Sequence, residues 1–253
     1  IYSPKQRTRP VPCIIYMHGG GFMLGNLDSS DSIAWGFAHE TASTVISIDY
    51  RLTPEHPWPA AFDDCYGVLD WLTHNGDRIG IDPDCIIVIG DSAGGRLAAS
   101  MALKARDVGL KNIAAQAMIY ASAGSIWDAQ SRIDFAEGYG LTSKRHKEYY
   151  RNLFPDDTYE NDPYAWPVRA SDLSNLPPAL IHNAEYDPIR DDGRVYASQL
   201  IEAGTSVVFR EAKQMIHGFM RARFTGAAAK REYDFICDFL KSHMRQGAPR
   251  PGA

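Results

Sequence analysis

The sequence predicts an α/β fold, a mostly parallel sheet flanked by helices, and three observations predict it. Short apolar runs recur at 12–17, 44–49, 85–89, 113–120, 179–184 and 206–211, the length and composition of buried strands. Helical patterns separate most of them, as the crossover connections of parallel strands require. Two of the runs end in glycine-rich turns, after 12–17 and after 85–89. The chain has 253 residues, 45% hydrophobic and 23% charged, enough for one large core.

In chain order, the run 12–17 leads into His18-Gly19-Gly20-Gly21-Phe22, and 44–49 forms a second strand. Ala61, Cys65, Val68, Leu69 and Leu72 make one helical face. After 85–89 comes Gly90-Asp91-Ser92-Ala93-Gly94. A helix follows with Leu97, Ala98, Met101, Ala102 and Ala105 inward, and Arg96, Ser100, Lys104 and Asp107 opposite. Strand 113–120 precedes an aromatic-rich stretch, 124–172, which has helical spacing and no strand. An insertion there reads as a lid over the strand ends. Strand 179–184 is followed by a helix through Val195, Gln199 and Leu200 that ends at Gly204. Strand 206–211 precedes the last helix, with Ala229, Tyr233, Ile236, Cys237, Leu240 and Met244 on one face. The expected organisation is a core of 1–123 and 173–246, a lid insertion of 124–172 and a frayed tail of 247–253.

A net charge of −5 argues against a nucleic-acid partner. The only basic run, Lys144-Arg145-His146-Lys147, reads as a solvated helix face. Cys13, Cys65, Cys85 and Cys237 are widely spaced among apolar residues, so reduced buried thiols are expected and no metal pattern appears. No apolar run approaches the roughly 20 residues that cross a bilayer, and no signal peptide is visible. The expectation is a cytoplasmic protein with no membrane partner.

The chemistry points to a serine nucleophile. Gly-x-Ser-x-Gly at a strand-to-helix junction lets small residues form a strained turn that lifts the Ser92 hydroxyl above the sheet. The glycines after His18 leave backbone N–H groups able to approach a reacting carbonyl oxygen. A serine needs a base, and the base needs an orienting acid. Of eight histidines, His217 is the best base candidate: it lies past strand 206–211 and before the last helix. His18 reads as structural in its glycine loop. The acid should come from the loop after 179–184, where Pro188 restricts Asp187; Asp191 and Asp192 are better placed to cap the next helix.

These segments, together with Gly25-Asn26-Leu27-Asp28, Asp49–Glu55 and Pro59-Ala60-Ala61, resemble the hormone-sensitive-lipase-like branch of the α/β-hydrolases, and within it bacterial acetyl esterases. The resemblance implies the α/β-hydrolase fold, with Ser92 as nucleophile, His217 as base and Asp187 as its partner. It implies an oxyanion hole from the N–H groups of Gly20, Gly21 and Ala93. Gly19 is read as a turn former, and Arg51 and Glu55 as bracing the loop beneath the site. Three departures stand out. Arg96 replaces the usual Asn, and Asp192 replaces a common Glu. Only 17 residues precede His18, and Ile1-Tyr2 looks like the end of a second strand. An uncovered edge at 44–48 would favour a homo-oligomer.

The resulting expectation is a serine carboxylesterase acting on short-chain, acetyl-type esters as small-molecule substrates, with no metal or organic cofactor. Phe22, Trp127, Phe135, Ile216 and Phe219 are the candidate pocket walls. The rival readings are an amidase or peptidase of the same fold, and a ligand-binding relative without catalysis, which would lack the histidine base.

Overall fold

The computed structural model describes residues 1–4 and 10–244; the expected tail 247–253 lies outside the described residues. Six strands form one sheet: β1 (Val11–Met17), β2 (Thr44–Ile48), β3 (Ile81–Asp91), β4 (Ile113–Ile119), β5 (Ala179–Tyr186) and β6 (Val207–Ile216). Their spatial order is β2-β1-β3-β4-β5-β6, and every neighbouring pair is parallel. The helices are α1 (Leu27–Thr41), α2 (Ala60–Asn75), α3 (Ala93–Asp107), α4 (Ser131–Asp134), α5 (Ser143–Leu153), α6 (Arg190–Glu202) and α7 (Ala227–His243).

Both faces of the sheet are covered, which is why the inner strands read as continuous apolar runs. Cys13, Ile15 and Met17 of β1 pack with Leu69 of α2, Leu97 of α3 and Leu200 of α6. Ile14 and Tyr16 point to the opposite face, against Phe37 of α1 and Ile236 of α7. After β1 the chain turns to one side for β2, then returns to lay β3 on the other side of β1. The loops leaving the carboxyl ends of β1 and β3 therefore diverge, and such a switch point opens a crevice for ligands. The glycine loop follows β1 and Ser92 follows β3, so topology alone brings them together.

Two strands run longer than their apolar runs. β3 starts at Ile81, and β6 continues to Ile216. β6 lies at the sheet edge with Val208 and Phe209 partly exposed, so its polar continuation tolerates solvent. Gln214 has φ 63°, and the β5–β6 register shifts between Ala184 and Tyr186. That bulge ends the strand immediately before His217. At the other edge, Tyr2 exchanges both backbone hydrogen bonds with Val45 in an antiparallel bridge.

Helix α1 had little apolar periodicity to announce it, but it is firmly started. The Asn26 side chain accepts from Ser29 N–H at 2.8 Å, and Ser29 Oγ accepts from Asn26 N–H at 2.9 Å. The four cysteines are buried. Among the described residues, no helix is long and apolar enough to cross a membrane.

Asp191 and Asp192 do not cap α6 as expected. Its N-cap is Ile189, without a side-chain cap bond. Both aspartates sit inside the first turn and reach across to the segment between β4 and β5. Asp191 accepts from Ser131 N–H at 2.9 Å, and Asp192 accepts from Ile126 N–H at 3.1 Å. The demand for acceptors on that neighbouring backbone outweighed the local cap.

Candidate active site

Ser92 occupies the sharp turn between β3 and α3 with φ 53° and ψ −116°, a conformation that costs a non-glycine residue on the order of 1–3 kcal/mol. The turn survives because the chain around it is packed to contact. Ser92 N–H donates to the Ile119 carbonyl at 2.9 Å. A Cβ on Gly94 would lie 1.9 Å from the Met17 carbonyl oxygen, and one on Gly90 would lie 2.1 Å from the Gly94 backbone. Only glycine admits this crossing of β1, β3 and α3.

Ser92 Oγ stands 2.9 Å from His217 Nε2, and His217 Nδ1 stands 2.7 Å from Asp187 Oδ2. A proton on Nδ1 donated to the carboxylate leaves Nε2 free to accept from the serine hydroxyl. Asp187 is fully buried, and its other oxygen accepts from Ile189 N–H at 3.0 Å. The carboxylate is thereby fixed from two sides. Ser92, Asp187 and His217 converge from the ends of β3, β5 and β6.

Beside Ser92, the N–H groups of Gly20, Gly21 and Ala93 have no hydrogen-bond partner among the described residues. Gly19 N–H, in contrast, donates to Asp91 Oδ1 at 2.9 Å. Its neighbours explain that role. Asp91 is buried and also accepts from Tyr16 Oη at 2.7 Å and Tyr120 Oη at 3.2 Å. Burial holds both phenols well above their ordinary range, so they remain donors. Asp91 was not singled out from the sequence, although its place between Gly90 and Ser92 was the available signal. The loop after β2 braces the glycine turn through Thr53 N–H, 2.8 Å from the Phe22 carbonyl. Arg51 forms a forked pair with Asp64 of α2, at 2.7 Å, and not with Glu55. His18 is buried and stacks on Tyr50 with ring centroids 4.3 Å apart.

A cavity of about 400 Å³ opens over Ser92. Its lining includes Phe22, Tyr149, Tyr150 and His146, together with the glycine loop. Of the five expected pocket walls, only Phe22 is among them. Trp127 lines a separate groove with Phe154 and Trp166. Phe135 packs against Tyr139 and Tyr186. Ile216 is 43% exposed near Gly140, and Phe219 is buried behind Tyr120 on the far side of the sheet. Periodicity marked these side chains as large and apolar but held no information about which way the intervening segment folds. The walls missed by sequence reasoning, His146, Tyr149 and Tyr150, come from the exposed-looking face of α5.

Behind this wall sits a buried polar cluster. Arg132 pairs with Asp192 at 2.5 Å and lies 3.0 Å from His146 Nδ1. Burial pushes the Asp192 carboxyl up to about 6, against the pull of Arg132. Burial, with Arg132 and Arg96 nearby, holds His146 well below its ordinary range, so it stays neutral. Arg96 is 1% exposed; Nε donates to the Ser122 carbonyl at 3.0 Å and Nη1 to the Ala165 carbonyl at 3.3 Å. Its Nη2 is enclosed and has no hydrogen-bond partner among the described residues. Leaving such a donor unpaired costs on the order of 1–3 kcal/mol. Burial pulls the guanidinium down to about 9. No group of three or more His, Cys, Asp or Glu residues suited to a metal ion occurs among the described residues.

A family model described as alpha/beta hydrolase fold matches residues 14–221. The chain belongs to the α/β-hydrolase family, in its hormone-sensitive-lipase-like branch. This α/β-hydrolase is 39% identical over 220 residues to the esterase LipI of Mycobacterium tuberculosis, covering 86% of this chain and 68% of the relative. It is 32% identical over 249 residues to the ethyl acetate hydrolase of Pseudomonas putida, covering 96% and 78%. The crystal structure of a thermostable esterase from Pseudomonas putida superposes with a TM-score of 0.93 at 30% identity, covering 97% of this chain and 78% of that one.

Proposed function

We propose that this α/β-hydrolase is a serine carboxylesterase whose nucleophile is Ser92. The observation that carries the reading is the continuous hydrogen-bond chain Ser92–His217–Asp187, at 2.9 and 2.7 Å, beside unpaired backbone donors. Ser92 Oγ attacks the ester carbonyl while His217 Nε2 takes its proton. Asp187 orients the imidazole and stabilises its cationic form. The oxyanion is received by the N–H groups of Gly20, Gly21 and Ala93. Collapse breaks the ester C–O bond, and His217 returns the proton to the departing alcohol. Water then attacks the acyl-enzyme, with His217 again as base, and frees the acid and Ser92.

The acyl chain is short. A cavity of about 400 Å³ walled by Phe22, Tyr149 and Tyr150 supports this, as does the similarity to an ethyl acetate hydrolase. The segment 124–172 acts as the lid, since α5 supplies much of the wall over Ser92. A profile of p-nitrophenyl esters from acetyl to decanoyl, together with fluorophosphonate labelling, tests the reading. Expected are label on Ser92 alone and kcat/KM highest at two to four carbons. Labelling elsewhere, or no hydrolysis of any ester, would overturn the assignment of Ser92; a kcat/KM rising steadily to decanoyl would overturn the short acyl chain alone.

A further inference from the structure

We propose that the cavity takes esters that carry a carboxylate, and that Arg96 is the residue that receives it. This rests on the serine-esterase reading of the same cavity. Arg96 stands four residues along α3 from Ser92 and belongs to the cavity lining. Its guanidinium face is covered by Tyr150, 4.6 Å away, and Trp166, 5.2 Å away. Hydrogen bonding must therefore use the guanidinium edge. Two of its three nitrogens are committed to the Ser122 and Ala165 carbonyls, both neutral, and the enclosed Nη2 has no partner among the described residues.

No ion pair compensates the charge among the described residues. The carboxylate that most influences Arg96 is Asp192, but Arg132 and Ile126 N–H already occupy its two oxygens. The other charged groups influencing Arg96 are the cations Arg132 and Arg169, and the adjacent His146 is neutral. The cavity itself repeats the imbalance. Its lining holds three guanidinium residues, Arg96, Arg145 and Arg221, of which Arg145 also faces Glu148 at 3.2 Å. The carboxylate in the lining, Asp91, is saturated by Tyr16, Tyr120 and Gly19. A carboxylate would supply the missing charge and acceptor, and it reaches the enclosed Nη2 only when the side chains packed around the guanidinium shift. Hydrolysis of such a substrate would consume water and release, for an acyl-side carboxylate, a dicarboxylate and an alcohol.

The test compares charged and neutral partners of similar shape at pH 7.5, with the whole chain. Monoethyl succinate against ethyl butyrate places the carboxylate on the acyl side. 4-Acetoxybenzoate against 4-methylphenyl acetate places it on the alcohol side. The expected kcat/KM favours the charged member of one pair at least tenfold, about what a hydrogen bond to a charged group supports. Arg96→Gln should bring that ratio near one, chiefly through KM, and Arg96→Lys should restore part of it. A wild-type ratio at or below one in both pairs, or a ratio untouched by Arg96→Gln, overturns the proposal. Hydrolysis of p-nitrophenyl acetate in the same preparation shows separately whether the esterase reading stands. Should Arg96→Gln not fold, Ser92→Ala provides a binding assay that needs no turnover. Monoethyl succinate should raise its unfolding midpoint more than ethyl butyrate at equal concentration and ionic strength, or 4-acetoxybenzoate more than 4-methylphenyl acetate; equal effects within both pairs overturn the proposal.

Discussion

The two sides of the cavity are built on different principles. On one side, the turns after β1 and β3 are tightly packed glycine backbone, where a Cβ added at Gly94 would land 1.9 Å from the Met17 carbonyl oxygen. On the other, α5 and the preceding segment present aromatic rings layered with cations, such as Arg96 against Tyr150 and Arg132 against Trp127. The first side positions main-chain donors, so its geometry is dictated by residues adjacent in sequence. The second side positions side chains through contacts between distant segments, so it has room to vary. A rigid backbone wall and an adjustable side-chain wall thus face each other across Ser92.

The largest effects are expected on the glycine side. Ser92→Ala should lower kcat on p-nitrophenyl acetate by about 10⁴–10⁶. A variant that keeps a tenth of wild-type activity would remove Ser92 from the mechanism. Asp187→Asn should cost about 10⁴ in kcat, by favouring the wrong tautomer of His217. Asp191→Asn should cost less than about tenfold, since Asp191 accepts from Ser131 N–H and does not touch His217. Comparable losses, with folding intact by circular dichroism, would mean that a different carboxylate orients the base.

Gly94→Ala probes packing directly. Its new methyl would collide with the Met17 carbonyl, and the loss of stability in urea titration should be about 3 kcal/mol or more. The aromatic side should be softer. Phe135→Ala, whose ring packs on Tyr139 and Tyr186 away from the cavity, should change kcat/KM by less than about threefold. A much larger loss would place Phe135 back in the pocket wall.

The smallest effect concerns a pair remote from Ser92. His182 and Arg210 hold the Glu232 carboxyl at about 2, below its reference value of 4.5, despite an opposing contribution from burial. A depressed carboxyl stabilises the folded state above its unfolded value and loses that contribution as pH falls toward the folded value. Glu232→Gln should therefore flatten the fall in unfolding midpoint between about pH 4.5 and 2 while leaving the neutral-pH profile of kcat unchanged. An acid limb identical to wild type would show that the pair contributes nothing.

All six strands were legible because both sheet faces are buried and the apolar runs are short and bounded. The sites of Ser92, Asp187 and His217 were legible because each directly follows a strand. Helix α1 was harder to read, since Ser29, Ser30 and Ser32 dilute its apolar face; its capping box needed the fold to be seen. The ends of β6 escaped detection because an edge strand pays little for polar residues. The pocket walls were the main failure. Trp127 and Tyr150 look alike in sequence, both large and aromatic in one helical stretch, yet they contact each other edge to face and only Tyr150 lines the cavity. Arg96 was visible as a departure, but its lack of an ion pair depends on where Asp192 and Arg132 meet.

The carboxylate of Asp91 receives hydrogen bonds from Tyr16 on β1, Tyr120 after β4 and the first amide of the glycine turn, while itself ending β3. Three stretches of chain thus share one junction, and none can open locally without stranding buried polar groups. In the language of hydrogen exchange, the Gly19 amide should report the opening of the whole domain, with protection close to the global value. Amides of 136–142, which lie outside the sheet, should exchange through smaller openings. The protein would then breathe at the aromatic wall of the cavity while Ser92 and the glycine turn stay assembled.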